Sequence, residues 1–195
     1  MGSEMCIRDR YSANLLLDIY NLKKDYAGLE KVGAELLAVP TIASSKVGGD
    51  IRDVMEKASF KKGQDLEGSK KYAESAQTYE AFAKQNPKSN LAVTALFNAG
   101  VNYERAGMNA QAISSYKGVL ATSGPEADKL KPKVRRFLAK QYQDSAQFEE
   151  AAKLYKQLAL ENPKDPLSAN MMYNAAVLYQ ACLLYTSDAA DEGLG

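Results

Sequence analysis

The sequence predicts an all-α architecture built from paired helices, and three observations carry that expectation. Tyr79, Tyr116 and Tyr155 recur at intervals of 37 and 39 residues, and a second set, Tyr103, Tyr142 and Tyr179, recurs at 39 and 37. Around both sets the apolar residues return at helical spacing: Leu96, Gly100 and Tyr103 share one face, and Ala112, Tyr116 and Leu120 share another. Asn-Pro pairs at Asn86-Pro87 and Asn162-Pro163 stop two of the segments, because the residue before a proline is pushed out of the helical region. A period of this length is the mark of a solenoid, in which each helix pair hides its apolar face on its neighbours.

The bulk composition fits. Of 195 residues, 46% are hydrophobic and 25% charged, which suits a folded unit with a sizeable core. No apolar run approaches the roughly 20 residues needed to span a bilayer. Histidine is absent throughout, which removes the commonest general base and metal ligand.

The two ends stand apart. Residues 1–10, MGSEMCIRDR, and residues 182–192, CLLYTSDAADE, resemble translated sequencing-adapter segments and are set aside as non-native scars. The first is expected to be disordered. The second is expected to continue helically for some way without functional meaning, within a tail spanning 182–195. Residues 11–181 then form one repeat segment. Cys6 and Cys182 both lie in the scars, so this segment offers no disulfide framework. Setting aside Arg8 and Arg10 among the 25 basic residues, and Glu4, Asp9, Asp188, Asp191 and Glu192 among the 24 acidic ones, leaves it mildly basic.

In chain order, Ala13 to Pro40 reads as a first, diverged helix pair turning at LKKD between Tyr20 and Tyr26. Thr41 to Gly49, rich in Ser and Gly, reads as a loop, with a helix starting near Asp50. Ile51 to Gly68 and Tyr72 to Gln85 make the second pair. The third runs from Ala95 to Pro125, turning at Gly107. The fourth opens at Pro132, where a missing N–H suits a first helical position, turns at DSAQ and returns through Phe148, Ala151 and Tyr155. A fifth begins at Ser168, a predicted N-cap, and carries Met172, Ala176 and Tyr179 with no second helix to cover them.

The pattern Leu96, Gly100, Tyr103, Gly107, Ala112, Tyr116 and, displaced by one, Pro125, repeated as Leu138, Ala139, Tyr142, Phe148, Ala151, Tyr155 and Pro163, resembles the tetratricopeptide (TPR) repeat. Ser75 in place of Ala and Leu66 in place of Tyr are the departures. The resemblance implies a right-handed α-solenoid of about four full pairs and a truncated fifth. It also implies a protein or peptide partner received in a concave groove lined by first helices. The 37–39-residue period is similar to that of TPR proteins of the bacterial envelope, which implies a place at the periplasm or outer-membrane periphery.

By the repeat register the groove face carries Phe97, Asn98, Val101 and Arg105, then Lys133, Arg136, Phe137 and Lys140, then Asn174. Lys129, Lys131, Lys133, Arg135, Arg136 and Lys140 form a basic cluster with no acid among them, expected to be a solvated helix face or else to attract a carboxylate-bearing partner segment. Nucleic acid binding through the same cluster is the less favoured alternative, as is a regulatory role within a larger enzyme or signalling protein. The carboxylate clamp of chaperone-binding TPR domains is matched only by Asn98 and Lys133: Phe137 stands where it needs a cation, and Phe60 and Gln64 replace its first Lys and Asn. No phosphate-binding loop, dinucleotide motif or nucleophile elbow is present. No catalytic residue, cofactor, metal site or small-molecule substrate is therefore expected. Glu149 and Glu150 read as helix-start residues favouring the positive end of the dipole.

Overall fold

The computed structural model describes the backbone of residues 2–192 and the side chains of residues 12–183. Among the described residues it is all-α, with no strand. Ten helices fall into two compact units, residues 1–91 and 92–195, and within each the helices pack in chain order.

The first unit holds α1 (Gly2–Leu22), α2 (Tyr26–Leu37), α3 (Pro40–Ala43), α4 (Lys46–Gly68) and α5 (Tyr72–Gln85). The backbone of residues 2–10, expected to be disordered, is helical and continuous with α1. Ala13 and Leu17 of α1, Leu29 of α2, and Val47, Ile51 and Ala58 of α4 form a buried cluster, with Tyr20, Tyr26, Val32 and Met55 packed around it. The stretch from Thr41 to Gly49 is not the expected loop. It holds most of α3 and the first turn of α4, for which Ser45 is the N-cap: its hydroxyl accepts from the Gly48 amide at 3.4 Å and donates to the Ile42 carbonyl at 2.7 Å. Gly48 is required there because a β-carbon would overlap the Ile42 carbonyl. Its glycines therefore serve close packing, not a turn.

The second unit holds α6 (Ala92–Arg105), α7 (Asn109–Ala121), α8 (Pro125–Asp144), α9 (Phe148–Glu161) and α10 (Ser168–Glu192). Two helix starts differ from expectation. α8 begins at Pro125 and not at Pro132, which lies inside the helix. Gly124, at φ 123°, leads in, Pro125 takes the first position, Glu126 and Asp128 sit in the first turn, and buried Ala127 anchors the added length. Ser168 does not cap α10 with its side chain. Its hydroxyl donates instead to the Ala159 carbonyl at 2.9 Å, tying the start of α10 to α9.

One turn is used four times. Lys24, Lys70, Gly107 and Ala146 all have positive φ, between 56° and 72°, and each stands four residues after Tyr20, Leu66, Tyr103 or Tyr142. In each case the amide of the next residue donates to the carbonyl of that Tyr or Leu, at 2.8–3.0 Å, and the left-handed residue's own amide donates three residues back. This closes the first helix and starts the second within three residues. Leu66 can replace the tyrosine because the turn needs only its carbonyl.

Within pairs, a ring from the second helix sits on a small residue of the first. The ring of Tyr79 reaches to where a β-carbon on Gly63 would lie only 2.8 Å away, and a β-carbon on Gly100 would overlap Tyr116. Ser75 is accommodated where Ala was expected because its buried hydroxyl donates to the Gly63 carbonyl at 2.8 Å. Phe60 closes the same site edge-on to Tyr79 and Phe82.

Two predictions follow from these contacts. Gly100→Ala gains about 1 kcal/mol of helix propensity but displaces the Tyr116 ring, and overpacking of that kind costs about 1–3 kcal/mol, so net destabilisation is expected in urea denaturation. Gly49→Ala, inside α4 with nothing within 4 Å, should instead stabilise. The second concerns Tyr26, whose hydroxyl donates to Asp65, with Lys24 Nζ 3.1 Å from the same carboxylate oxygen. That bond, aided by Lys24, holds the Asp65 carboxyl below its usual range, while burial and then the bond push the Tyr26 phenol up to about 12. A depressed carboxyl contributes stability above its unfolded pKa and loses it as pH falls through the folded value. A raised phenol contributes below its unfolded pKa and loses it as pH rises through the folded value. Tyr26→Phe should therefore lower stability by about 1 kcal/mol at pH 7, after allowance for solvent screening. The gap from wild type should close below about pH 4 and above about pH 10.

Candidate partner-binding face of residues 92–195

The residues singled out in the second unit lie on α6, α8 and α10. Phe97 is only 8% exposed. Its ring meets Phe137 edge-on at 5.9 Å and Tyr116 at 6.3 Å, and Tyr116 and Phe137 stack at 5.8 Å. Phe97 thus contributes a wall more than a free contact. Lys133 lies across that wall, its ammonium 4.9 Å from the Phe97 ring centre and 5.8 Å from that of Phe137. Phe137, Asn98 and Val101 are half-buried, while Arg105, Arg136 and Lys140 are exposed. Asn174 stands exposed on α10 with no bond to this cluster.

The basic cluster is largely compensated. Lys129 and Lys131 pair with Glu126 and Asp128, three residues before them, at 2.7 Å each. Arg135 pairs with Glu161, and Lys140 with Glu104 at 2.8 Å. Arg136 reaches Asp165 only loosely, at 3.9 Å. Of the six cations, Lys133 is the one with no carboxylate in contact among the described residues. The acids that neutralise the run come from the preceding turn of α8, from α6, and from the end of α9 and the link after it, so a window confined to the run does not show them.

Glu104 is the side chain the sequence reading passed over. It binds Lys140 and also accepts from the Tyr116 hydroxyl at 3.2 Å. Burial, reinforced by Glu104, pushes the Tyr116 phenol well above its usual value, and the Glu104 hydrogen bond and charge raise the Lys140 ammonium. The register held the signal. Glu104 stands twelve residues before Tyr116, and Gln143 stands twelve before Tyr155, whose hydroxyl it likewise accepts at 3.2 Å. Tyr173 and Val177, 70% and 44% exposed, fall at the register positions of Arg136 and Lys140 and were also passed over.

A separate feature lies in the first unit. A cleft of about 780 Å³ runs between α2, α4 and α5, with Leu29, Met55, Ala58 and Ala81 as its apolar wall and Glu30, Asp53, Glu56 and Glu74 among its polar lining. The sequence hint was spacing: the left-handed turns at Lys24 and Lys70 are 46 residues apart, the excess being taken up by α3 and the long α4.

None of the described helices is long and apolar enough to cross a membrane. No cluster of His, Cys, Asp and Glu suited to a metal ion occurs among the described residues.

The class the fold defines is a stack of helix hairpins joined by one repeated turn, with first helices lined up beside one another within a unit. Comparison with known families makes it specific: residues 60–128, about a third of the chain, match the tetratricopeptide repeat family, and the protein carries TPR repeats. No curated protein and no solved structure matched the chain. Such repeats generally mediate protein–protein interaction.

The role of Glu104 is testable by denaturation. A double-mutant cycle with Lys140 should give a coupling below about 1 kcal/mol, because the pair is solvent-exposed on the lysine side. Glu104→Leu should cost about 1–3 kcal/mol more than Glu104→Gln, since only the amide still accepts from the buried Tyr116 hydroxyl.

Proposed function

We propose that this protein is an interaction scaffold whose second unit binds an extended or helical segment of a partner protein on the face shared by α6 and α8. The observation that carries the reading is Lys133. It is held over the Phe97 and Phe137 rings with no carboxylate in contact, beside half-buried Asn98 and the loosely paired Arg136. An ammonium on an aromatic wall suits a carboxylate attached to an apolar side chain or chain end: the charge meets Lys133 and Arg136, and the apolar part meets the wall and Val101. Arg105, Lys140 and Asn174 lie farther along the same register and would extend the contact.

Compensation weakens the nucleic-acid reading. A polyanion would have to displace Glu126, Asp128, Glu104 and Glu161 before it gained the cations they hold, whereas a single carboxylate needs only Lys133 and Arg136. The long repeat period is what supports a place among envelope assembly factors.

A peptide-display selection against the full chain tests the proposal. Enriched peptides should carry a carboxylate next to an apolar residue and lose at least about tenfold in affinity on Lys133→Ala or Asn98→Ala, while keeping it on Gln111→Ala, which alters an exposed position on α7. Equal binding to all three variants would sink the assignment. Binding of single-stranded DNA that collapses with added salt and with Arg135→Ala would favour the nucleic-acid reading instead.

A further inference from the structure

The repeat register reveals a second surface, independent of the groove. On α6 and α8 two stripes are covered. Ala95, Ala99 and Asn102, and their counterparts Val134, Leu138 and Gln141, are buried. Gly100 with Tyr103, and Ala139 with Tyr142, are buried too, on the side that receives the second helix of the same pair. On α10 the first stripe, Met171, Ala175 and Leu178, is buried, and α10 packs against α9. The second stripe is bare: Met172 is 39% exposed, Ala176 is exposed and Tyr179 is half-exposed. An open depression of about 480 Å³ beside Lys153, Lys156, Leu160 and Tyr179 continues it onto α9.

The earlier pairs show what kind of group belongs there. Gly63, Gly100 and Ala139 each precede a tyrosine, Tyr79, Tyr116 or Tyr155, by sixteen residues, and the first two are in direct contact with it. Each tyrosine follows a small buried residue by four: Ser75, Ala112 or Ala151. Ala176 continues the small-residue series, but sixteen residues on the chain is still in α10. The left-handed turn that follows Tyr20, Leu66, Tyr103 and Tyr142 by four residues does not follow Tyr179. Position 183 there is helical, and its leucine is 71% exposed.

We infer that the Met172–Ala176–Tyr179 face is a docking site for an amphipathic helix of the form small-x-x-x-Tyr, whose tyrosine seats on Ala176. The occupant has the chemistry of this protein's own second helices. The face is apolar, its central residue is small, and three homologous seats in the same chain each have a tyrosine helix as their partner.

The test uses a labelled peptide of residues 147–163, which contains α9, titrated into the full chain by fluorescence anisotropy. Saturable binding is expected, weakened at least about tenfold by Tyr155→Ala in the peptide and by Ala176→Arg in the protein. That protein variant should keep its fold, because Ala176 is exposed and arginine is a good helix former. In a second version the helix is tethered by replacing everything after Gln180 with a copy of residues 144–163, which restores the three-residue turn. Met172 should then be protected from peroxide oxidation, read by mass spectrometry with buried Met171 as internal reference. No peptide binding together with unprotected Met172 would overturn the inference. So would peptide binding indifferent to Ala176→Arg. Self-association of the chain that Ala176→Arg abolishes, with no peptide binding, would assign the face to a second copy instead.

Discussion

The contact on which the rest depends is the seating of a second-helix tyrosine against a small first-helix residue sixteen positions earlier. Gly63 under Tyr79 and Gly100 under Tyr116 bring two helix backbones close enough for an aromatic ring to fill the space between them, and Tyr79 and Tyr116 are wholly buried as a result. Rings of this size bury about 150–250 Å² each, far more than any exposed ion pair in the chain contributes. The glycines carry a conformational cost of about 1 kcal/mol in a helix interior, which that burial outweighs.

The same contact explains why the turn is so uniform. A ring can find its seat only if the second helix starts at a fixed distance and angle from the end of the first. The left-handed residue at Lys24, Lys70, Gly107 and Ala146 provides that constraint, with two backbone hydrogen bonds each time. Only one of the four is glycine, so the conformation is imposed by packing on either side and not by local preference. Hydroxyl partners follow the register too: Glu104 for Tyr116 and Gln143 for Tyr155. Glu104 then takes on a second role at the surface by holding Lys140, which links core packing to the electrostatics of the proposed groove.

Electrostatics is where sequence and structure part most clearly. Read along the chain, Lys129 to Lys140 is a run of cations without an acid. In space, Glu104 and Glu161 stand 36 and 26 residues from the cations they neutralise. What survives is local: one ammonium on an aromatic wall. The proposed groove consequently reads as a site for a single carboxylate with an apolar companion, a narrower specificity than the run of charges implied.

Periodicity was legible from the residues because a solenoid repeats its contacts: tyrosine spacing located α5 to α9 and their turns, and the bare stripe Met172, Ala176 and Tyr179 was foreseeable from the missing counterpart helix. The starts of α4 and α8 were not, since Ser45 and Pro125 compete with equally plausible signals at Asp50 and Pro132, and only burial of Val47 and Ala127 settles which turn is kept. Of the candidate groove, the sequence could place side chains on a face but could not tell a wall from a contact. Phe97 and Phe137 share a face with Asn98 and Lys133, yet pack inward on Tyr116. The sequence by itself determined the class, the register and the order of helices, which depend on spacing along one chain. The tertiary structure decided which charges are spent on one another, because ion pairing is a matter of distance in space between groups far apart in sequence.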